Sequence, residues 1–275
     1  MNIIGIDFED WFHPHLIKKH LTNEKKIPRI IDGIDKILEL LRKTDTIATF
    51  FVVGELIEFR PEILDKILKN DHEIAFHSMY HDSLTESNEE KFNIEIEKFA
   101  KLTGKRSKGF RAPSFSLNYS TSWAINVLEK NDYEYDSSIV PAKTSMYGIT
   151  NAQKEPYRIS SEIIEKNNPS AKIIEYPLAV TNILGKKIPS CGGFYLRTLP
   201  MKVSKDTIKR YESNNVPATY YVHSWELTPE LMPDISLPKK DHFITFHNIR
   251  KTFDRMNEIL QNFEFTSFEK YQKSL

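Results

Sequence analysis

Short, continuously apolar segments recur along this chain, and stretches of helical period separate them. The clearest is Thr46 to Val53, TIATFFVV, which is β-branched and aromatic and is stopped by Gly54. A strand without polar alternation has both faces covered, and a parallel sheet with helices packed over it meets that condition. Ile3 to Ile6, Glu73 to Phe76, Ser107 to Arg111, Ile173 to Tyr176 and Ala218 to Val222 also read as strands. Between them, Ile27 to Lys43 places Ile27, Ile30, Ile31, Ile34, Leu38 and Leu41 on one helical stripe. Pro61 opens a helix to about Asn70, and Ser87 with Glu90 has the form of a capping box for a helix to about Thr103. Helices are also predicted over Ser120 to Asn131 and Pro200 to Glu212, with a C-terminal helix over about 249–263. The pattern predicts an α/β fold of one domain over 1–275, broken by a polar, aperiodic insertion around 139–172.

Composition narrows the possible functions. Lys and Arg total 38 and so do Asp and Glu, which excludes a chain built to coat nucleic acid by charge. With 40% hydrophobic and 12% aromatic residues the chain is not disordered. Its one cysteine, Cys191, excludes an internal disulfide and a multi-cysteine metal site. No apolar run reaches the length of about 18 residues that a membrane span needs. The opening residues, MNIIGID, have neither the basic region nor the apolar stretch of a signal peptide, so the expected location is cytoplasmic.

In parallel α/β folds, ligands collect at the C-terminal ends of the strands. Four strand ends here carry unusual polar residues: Asp7-Phe8-Glu9-Asp10-Trp11, His77-Ser78-Met79-Tyr80-His81, Arg111-Ala112-Pro113-Ser114 and His223-Ser224-Trp225-Glu226. His77 and His81, four apart, can aim two imidazoles at one ion from a helical turn or a tight loop. That spacing alone also arises by chance. Asp7, Glu9 and Asp10 put three acids in four residues beside aromatic rings, a costly cluster without a cation. Two histidines and one of these carboxylates would leave an open position for water on a divalent ion. Arg111 reads either as a surface salt bridge or as the cation that orients a carboxylate. His223 reads either as a core-edge histidine or as a general acid. Trp11, Phe12, Phe115, Tyr147 and Trp225 lie in or near these loops, as core packing or as a platform for a sugar ring.

Together these motifs resemble the polysaccharide deacetylases with a NodB homology domain (carbohydrate esterase family 4), and more closely the branch associated with exopolysaccharide biosynthesis and exosortase systems. The segments that carry the resemblance are IDFEDWFH (6–13), TFFVVGE (49–55), HEIAFHSMYHDSL (72–84), GFRAPSFS (109–116), YEYDSSIVP (133–141), EYPLAV (175–180), GGFYLRTLP (192–200) and YYVHSWEL (220–227), in order along nearly the whole chain. The resemblance implies a distorted (β/α) barrel with fewer than eight repeats. It implies hydrolytic removal of N-acetyl, or less often O-acetyl, groups from an acetylated polysaccharide or oligosaccharide. It also implies a divalent metal, Zn²⁺ first, with Co²⁺, Ni²⁺ and Fe²⁺ also suited, held by His77, His81 and one acid. If the adjacent pair is the motif, Asp10 is the ligand; if the motif is of the Asp-x-Asp kind, Asp7 is the base and Glu9 the ligand. By the same resemblance Arg111 tethers a catalytic carboxylate, the Ser114 N–H holds the oxyanion and His223 is the general acid. Asp136 lies near the family's fourth motif without its usual tryptophan, a role for which Trp225 is the candidate; Trp11 and Trp225 are the candidate sugar contacts. The rival readings are a metal-free cyclic-amide hydrolase resembling the allantoinases, which both histidines disfavour, a non-catalytic glycan-binding barrel, and a structural partner in glycan assembly.

Overall fold

The computed structural model describes residues 1–22, 25–104 and 107–275. Its strands are β1 (Asn2–Phe8), β2 (Thr49–Val52), β3 (Glu73–Phe76), β4 (Gly109–Phe110), β5 (Tyr135–Asp136), β6 (Tyr157–Ile159), β7 (Ile173–Glu175), β8 (Val180–Ile183), β9 (Lys186–Pro189), β10 (Thr219–His223) and β11 (Phe265–Thr266). Nine of them form one sheet in the order β10-β1-β2-β3-β4-β5-β7-β6, with β11 added beside β1; β8 and β9 make a separate hairpin. Pairing in the large sheet is parallel except between β6 and β7. The sheet curls into an incomplete barrel: β10 and β6 end the order without pairing to each other, and isolated bridges, Leu178 to Thr219 and Gly192 to Tyr221, link β10 to the chain that follows β7 and β9.

Strand alternation divides β1 between two environments. Ile4, Ile6 and Phe8 point outward into the main core under the covering helices. Ile3 points inward, where it packs with Phe51, Ala75, Tyr135, Tyr176 and Phe268 as the floor of the barrel. Gly5 and Asp7 follow on that inner face. A Cβ on Gly5 would lie 2.6 Å from Arg111 Nη1 and 2.7 Å from the Phe51 ring, so the guanidinium fills the space that a side chain would take. Arg111 is fully buried there, 4.1 Å over the Phe51 ring. Gly5→Ala is therefore expected to keep the fold, cost about 1–3 kcal/mol through overpacking, and lower turnover by displacing Arg111. Thermal melting and a rate assay on one preparation check both halves.

The structure departs from the sequence reading at several boundaries. Ile27 is exposed and the α-helix starts only at Ile34, after a 3-10 turn over Ile30–Gly33. The reason is Asp10, whose carboxylate accepts the backbone N–H groups of Arg29 and Ile31 and fixes that stretch as a loop. The helix Glu89–Thr103 is capped by Asn88, not Ser87, while a capping box forms earlier, between Ser83 and Glu86. The last predicted helix opens as a 3-10 turn, Ile249–Lys251, before Thr252–Asn262. Within the insertion, β6 pairs antiparallel with β7 and closes the far edge of the sheet.

Candidate active site

The strand ends meet at one pocket. Asp7 ends the inner face of β1 and lies in register with His223 of β10. Its Oδ1 accepts a hydrogen bond from Arg111 Nη1 at 2.6 Å, with both side chains buried. Arg111 is held in turn by Ser137, whose carbonyl accepts from Nε at 3.0 Å and whose hydroxyl accepts from Nη2 at 2.9 Å. Asp7 Oδ2 is left facing the pocket, 4.0 Å from His223 Nε2.

Glu9, His77 and His81 converge: one potential ligand atom from each lies within 4.8 Å of the others, and all three residues are buried. The loop that carries both histidines is a tight turn, not a helix, with left-handed backbone at Ser78 and His81. Glu95 accepts the Met79 N–H, and Lys18 donates to the Tyr80 and His81 carbonyls, which pins the turn from both sides. His77 Nδ1 donates to the Arg111 carbonyl at 2.7 Å, so its Nε2 lone pair is the one available. Burial pushes the His77 imidazolium down to about 4, which keeps the ring neutral. Burial alone would raise the Glu9 carboxyl, but the imidazoles of His81, His223 and His77 outweigh it and hold it well below the usual range. Glu9 Oε1 accepts from the Trp225 indole at 2.8 Å, whereas Oε2 is buried and has His81 Nε2 at 2.8 Å. A buried carboxylate oxygen grouped with two imidazoles, with one potential ligand atom from each within 4.8 Å of the others, fits a divalent cation.

Asp10 does not join this group, and its assignment as third ligand is corrected. Its two oxygens accept the backbone N–H groups of Trp11, Arg29 and Ile31, while its own N–H donates to His13. Adjacent residues of an extended chain point to opposite sides, so only one of Glu9 and Asp10 can face the histidines. Trp11 is also corrected as a sugar contact: it is buried, donates to the Ile27 carbonyl and packs on Phe12. Trp225 lines the pocket, but its indole N–H is committed to Glu9 and its face to His223, at 5.2 Å. Ser114 lines the pocket with φ 55°. Asp136 lies outside it: it accepts from Ser138, whose hydroxyl takes the Ala112 N–H, and so braces the strand end that carries Arg111.

His223 presents Nε2 to the pocket, 3.6 Å from Glu9 Oε1, and its Nδ1 bonds Glu226 Oε2 at 2.6 Å. Burial disfavours the imidazolium, yet the carboxylates of Glu226, Glu9 and Asp7 outweigh it and lift His223 to about 9. Glu226 is a partner that the sequence reading did not single out. Its signal was available, because His223 and Glu226 are three apart and one turn brings such residues together. Phe115, Tyr147, Phe194 and Ile244 supply apolar walls.

A second acidic pair lies deeper. Asp136 and Glu175 are register partners on β5 and β7, both buried. Neither Asp136 Oδ2 nor Glu175 Oε2 has another donor, so the two can bond only if one keeps its proton. Burial and the facing charge raise Glu175 well above the carboxyl range, and burial raises Asp136. Because these values lie above those of the unfolded chain, the stability they confer is complete in acid and is lost as pH rises from the ordinary carboxyl range toward the raised values. Glu175→Gln, whose amide can donate to Asp136 at any pH, is expected to flatten that loss. Melting temperatures of both proteins from about pH 5 to about pH 9 test it; parallel curves would contradict it.

A family model described as polysaccharide deacetylase matches residues 30–135, and a domain of unknown function, DUF3473, matches 137–273. His77, His81, Arg111 and Ser114 come from the first region, His223 and Glu226 from the second, and Asp7 and Glu9 precede both. The chain is 34% identical to the peptidoglycan-N-acetylglucosamine deacetylase of Bacillus cereus over 108 residues, 36% of this chain and 51% of that protein. It is 28% identical to the peptidoglycan-N-acetylmuramic acid deacetylase of Bacillus subtilis over 151 residues, 44% of this chain and 57% of that protein. It thus spans little more than half the length of either relative. A Mycobacterium smegmatis crystal structure assigned to the polysaccharide deacetylases superposes with a TM-score of 0.60 at 16% identity, over 99% of this chain and 90% of the other, a likeness of fold. With the matched model and the curated relatives in agreement, the chain carries a polysaccharide deacetylase domain of the NodB homology type over residues 30–135.

Proposed function

We propose that this protein is a metal-dependent hydrolase that removes N-acetyl groups from an acetylated glycan and releases acetate. The observation that carries the reading is the convergence of Glu9, His77 and His81 beside two further groups, Asp7 on Arg111 and His223 on Glu226, at one pocket. The two relatives whose names specify amino sugars, N-acetylglucosamine and N-acetylmuramic acid, support an N-acetyl substrate. A divalent ion held by Glu9, His77 and His81, for which Zn²⁺ is the first choice and Co²⁺, Ni²⁺ or Fe²⁺ are chemically suited, would polarise the acetyl carbonyl and lower the pKa of water.

The chain's own residues divide the remaining work. Asp7, oriented through Oδ1 by Arg111, accepts the proton of the attacking water at Oδ2. The Ser114 N–H stabilises the developing oxyanion. His223, whose protonated ring the carboxylates of Glu226, Glu9 and Asp7 favour, donates its Nε2 proton to the departing sugar nitrogen. Phe115, Tyr147 and Phe194 offer apolar faces for the sugar ring.

The test is to incubate the protein with N-acetylated oligosaccharides, an O-acetylated sugar and a cyclic amide, and to measure acetate and free amine. Equal yields of acetate and amine from the first support the reading. Opening of the cyclic amide alone would favour the metal-free branch, and saccharide binding without release of acetate would favour a binding barrel.

A further inference from the structure

Arg197 lies on the short helix Gly193–Thr198, outside the strand-end motifs, and is 2% exposed. Its Nε donates to Glu226 Oε1 at 2.6 Å. Nη1 donates to the carbonyls of Thr245 at 3.0 Å and His247 at 2.8 Å, and Nη2 to that of Ile244 at 3.0 Å. A buried ion pair by itself says little about function, since apolar side chains can often replace it. Two features distinguish this one. The other oxygen of Glu226 is the one that holds His223 Nδ1. The three carbonyls belong to the end of the helix Lys239–Phe246 and the residue after it, and Ile244 and Thr245 of that stretch line the pocket. One guanidinium therefore ties the imidazole of β10 to the opposite wall.

We propose that Arg197 is a positioning residue for the reaction: through Glu226 it fixes the ring of His223, and through the Ile244, Thr245 and His247 carbonyls it holds the wall beside the leaving sugar in register with that ring. This rests on the reading of His223 as the acid. A planar fork with donors on three nitrogens does this, and a lysine ammonium, a point charge, cannot span the same four acceptors. The step that needs the alignment is breakdown of the tetrahedral adduct. As its C–N bond breaks, the electron pair returns to nitrogen and takes the Nε2 proton of His223, giving amine and acetate. A 4-nitrophenolate leaving group needs no such proton.

The experiment compares Arg197→Met, Arg197→Lys, Glu226→Gln and His223→Ala on an N-acetylated oligosaccharide and on 4-nitrophenyl acetate, with melting temperatures and proton NMR of the His223 Nδ1–H. The ratio of amide to ester kcat should fall about 10²-fold in the Arg197 and Glu226 variants. The hydrogen-bonded Nδ1–H signal should weaken in Arg197→Met, and Arg197→Lys should not restore the ratio. Should Arg197→Met fail to fold, the isosteric Glu226→Gln decides. Equal losses on both substrates, or an unchanged ratio beside an inactive His223→Ala, overturn the proposal while leaving His223 as the acid. Full amide activity in His223→Ala overturns both.

Discussion

Glu9→Gln should lose metal uptake and turnover together, while Asp10→Asn should keep the metal. Glu9 Oε2 is buried, 2.8 Å from His81 Nε2, in the group that could hold an ion. A neutral carboxamide removes the negative charge of the ligand set, and an affinity loss of at least about 100-fold is expected, beyond what outer-shell changes produce. Asp10 is equally buried, but backbone N–H groups already saturate it. Asparagine there brings N–H groups against N–H groups, so its penalty is about 1–3 kcal/mol of stability, with metal stoichiometry unchanged. Metal analysis after gel filtration, beside melting curves, separates the two. Metal retained in Glu9→Gln and lost in Asp10→Asn would return the ligand role to Asp10.

Asp7→Asn should lower kcat by about 10²–10⁴-fold, the usual worth of a positioned base, without loss of metal. Asparagine can still accept from Arg111 through its carbonyl oxygen, so the fold should persist at a modest cost. What disappears is the proton acceptor at the position of Oδ2. Since Asp7 stands outside the metal-capable trio, its variant and the Glu9 variant should differ in metal content while both are inactive. Substantial turnover in Asp7→Asn would move the base elsewhere, with Glu9, whose Oε1 stands 3.6 Å from His223 Nε2 at the same pocket, the other candidate.

How far the sequence revealed this arrangement depends on how local each signal is. The apolar runs that became β2 and β3 were legible because burial on both faces leaves a continuous hydrophobic pattern. Asp7, His77, Arg111 and His223 were legible as polar residues at strand ends, where parallel sheets place ligands. The choice between Glu9 and Asp10 was not, because it turns on which side of the chain faces the histidines just after β1 ends. Contacts with Arg29 and Ile31, far along the chain, make that choice. Trp11 and Trp225 stand in similar motif loops, yet one is sealed under Ile27 and the other stacks on His223. Arg197 lay inside the quoted segment GGFYLRTLP, but its role was not legible for the same reason: its partners lie 29 to 50 positions away and no local pattern joins them. Gly5 carried a cue only in hindsight, as a residue without a side chain opposite a fully buried arginine, Arg111.

The most direct measurement is acetate release from an N-acetylated oligosaccharide by metal-stripped protein titrated with Zn²⁺, beside the His77→Ala/His81→Ala double variant. Release that rises to a break at one equivalent in the parent protein, and is absent at every metal concentration in the variant, is the predicted result. Release by the stripped protein that added metal does not change, or equal release by the variant, would contradict the account.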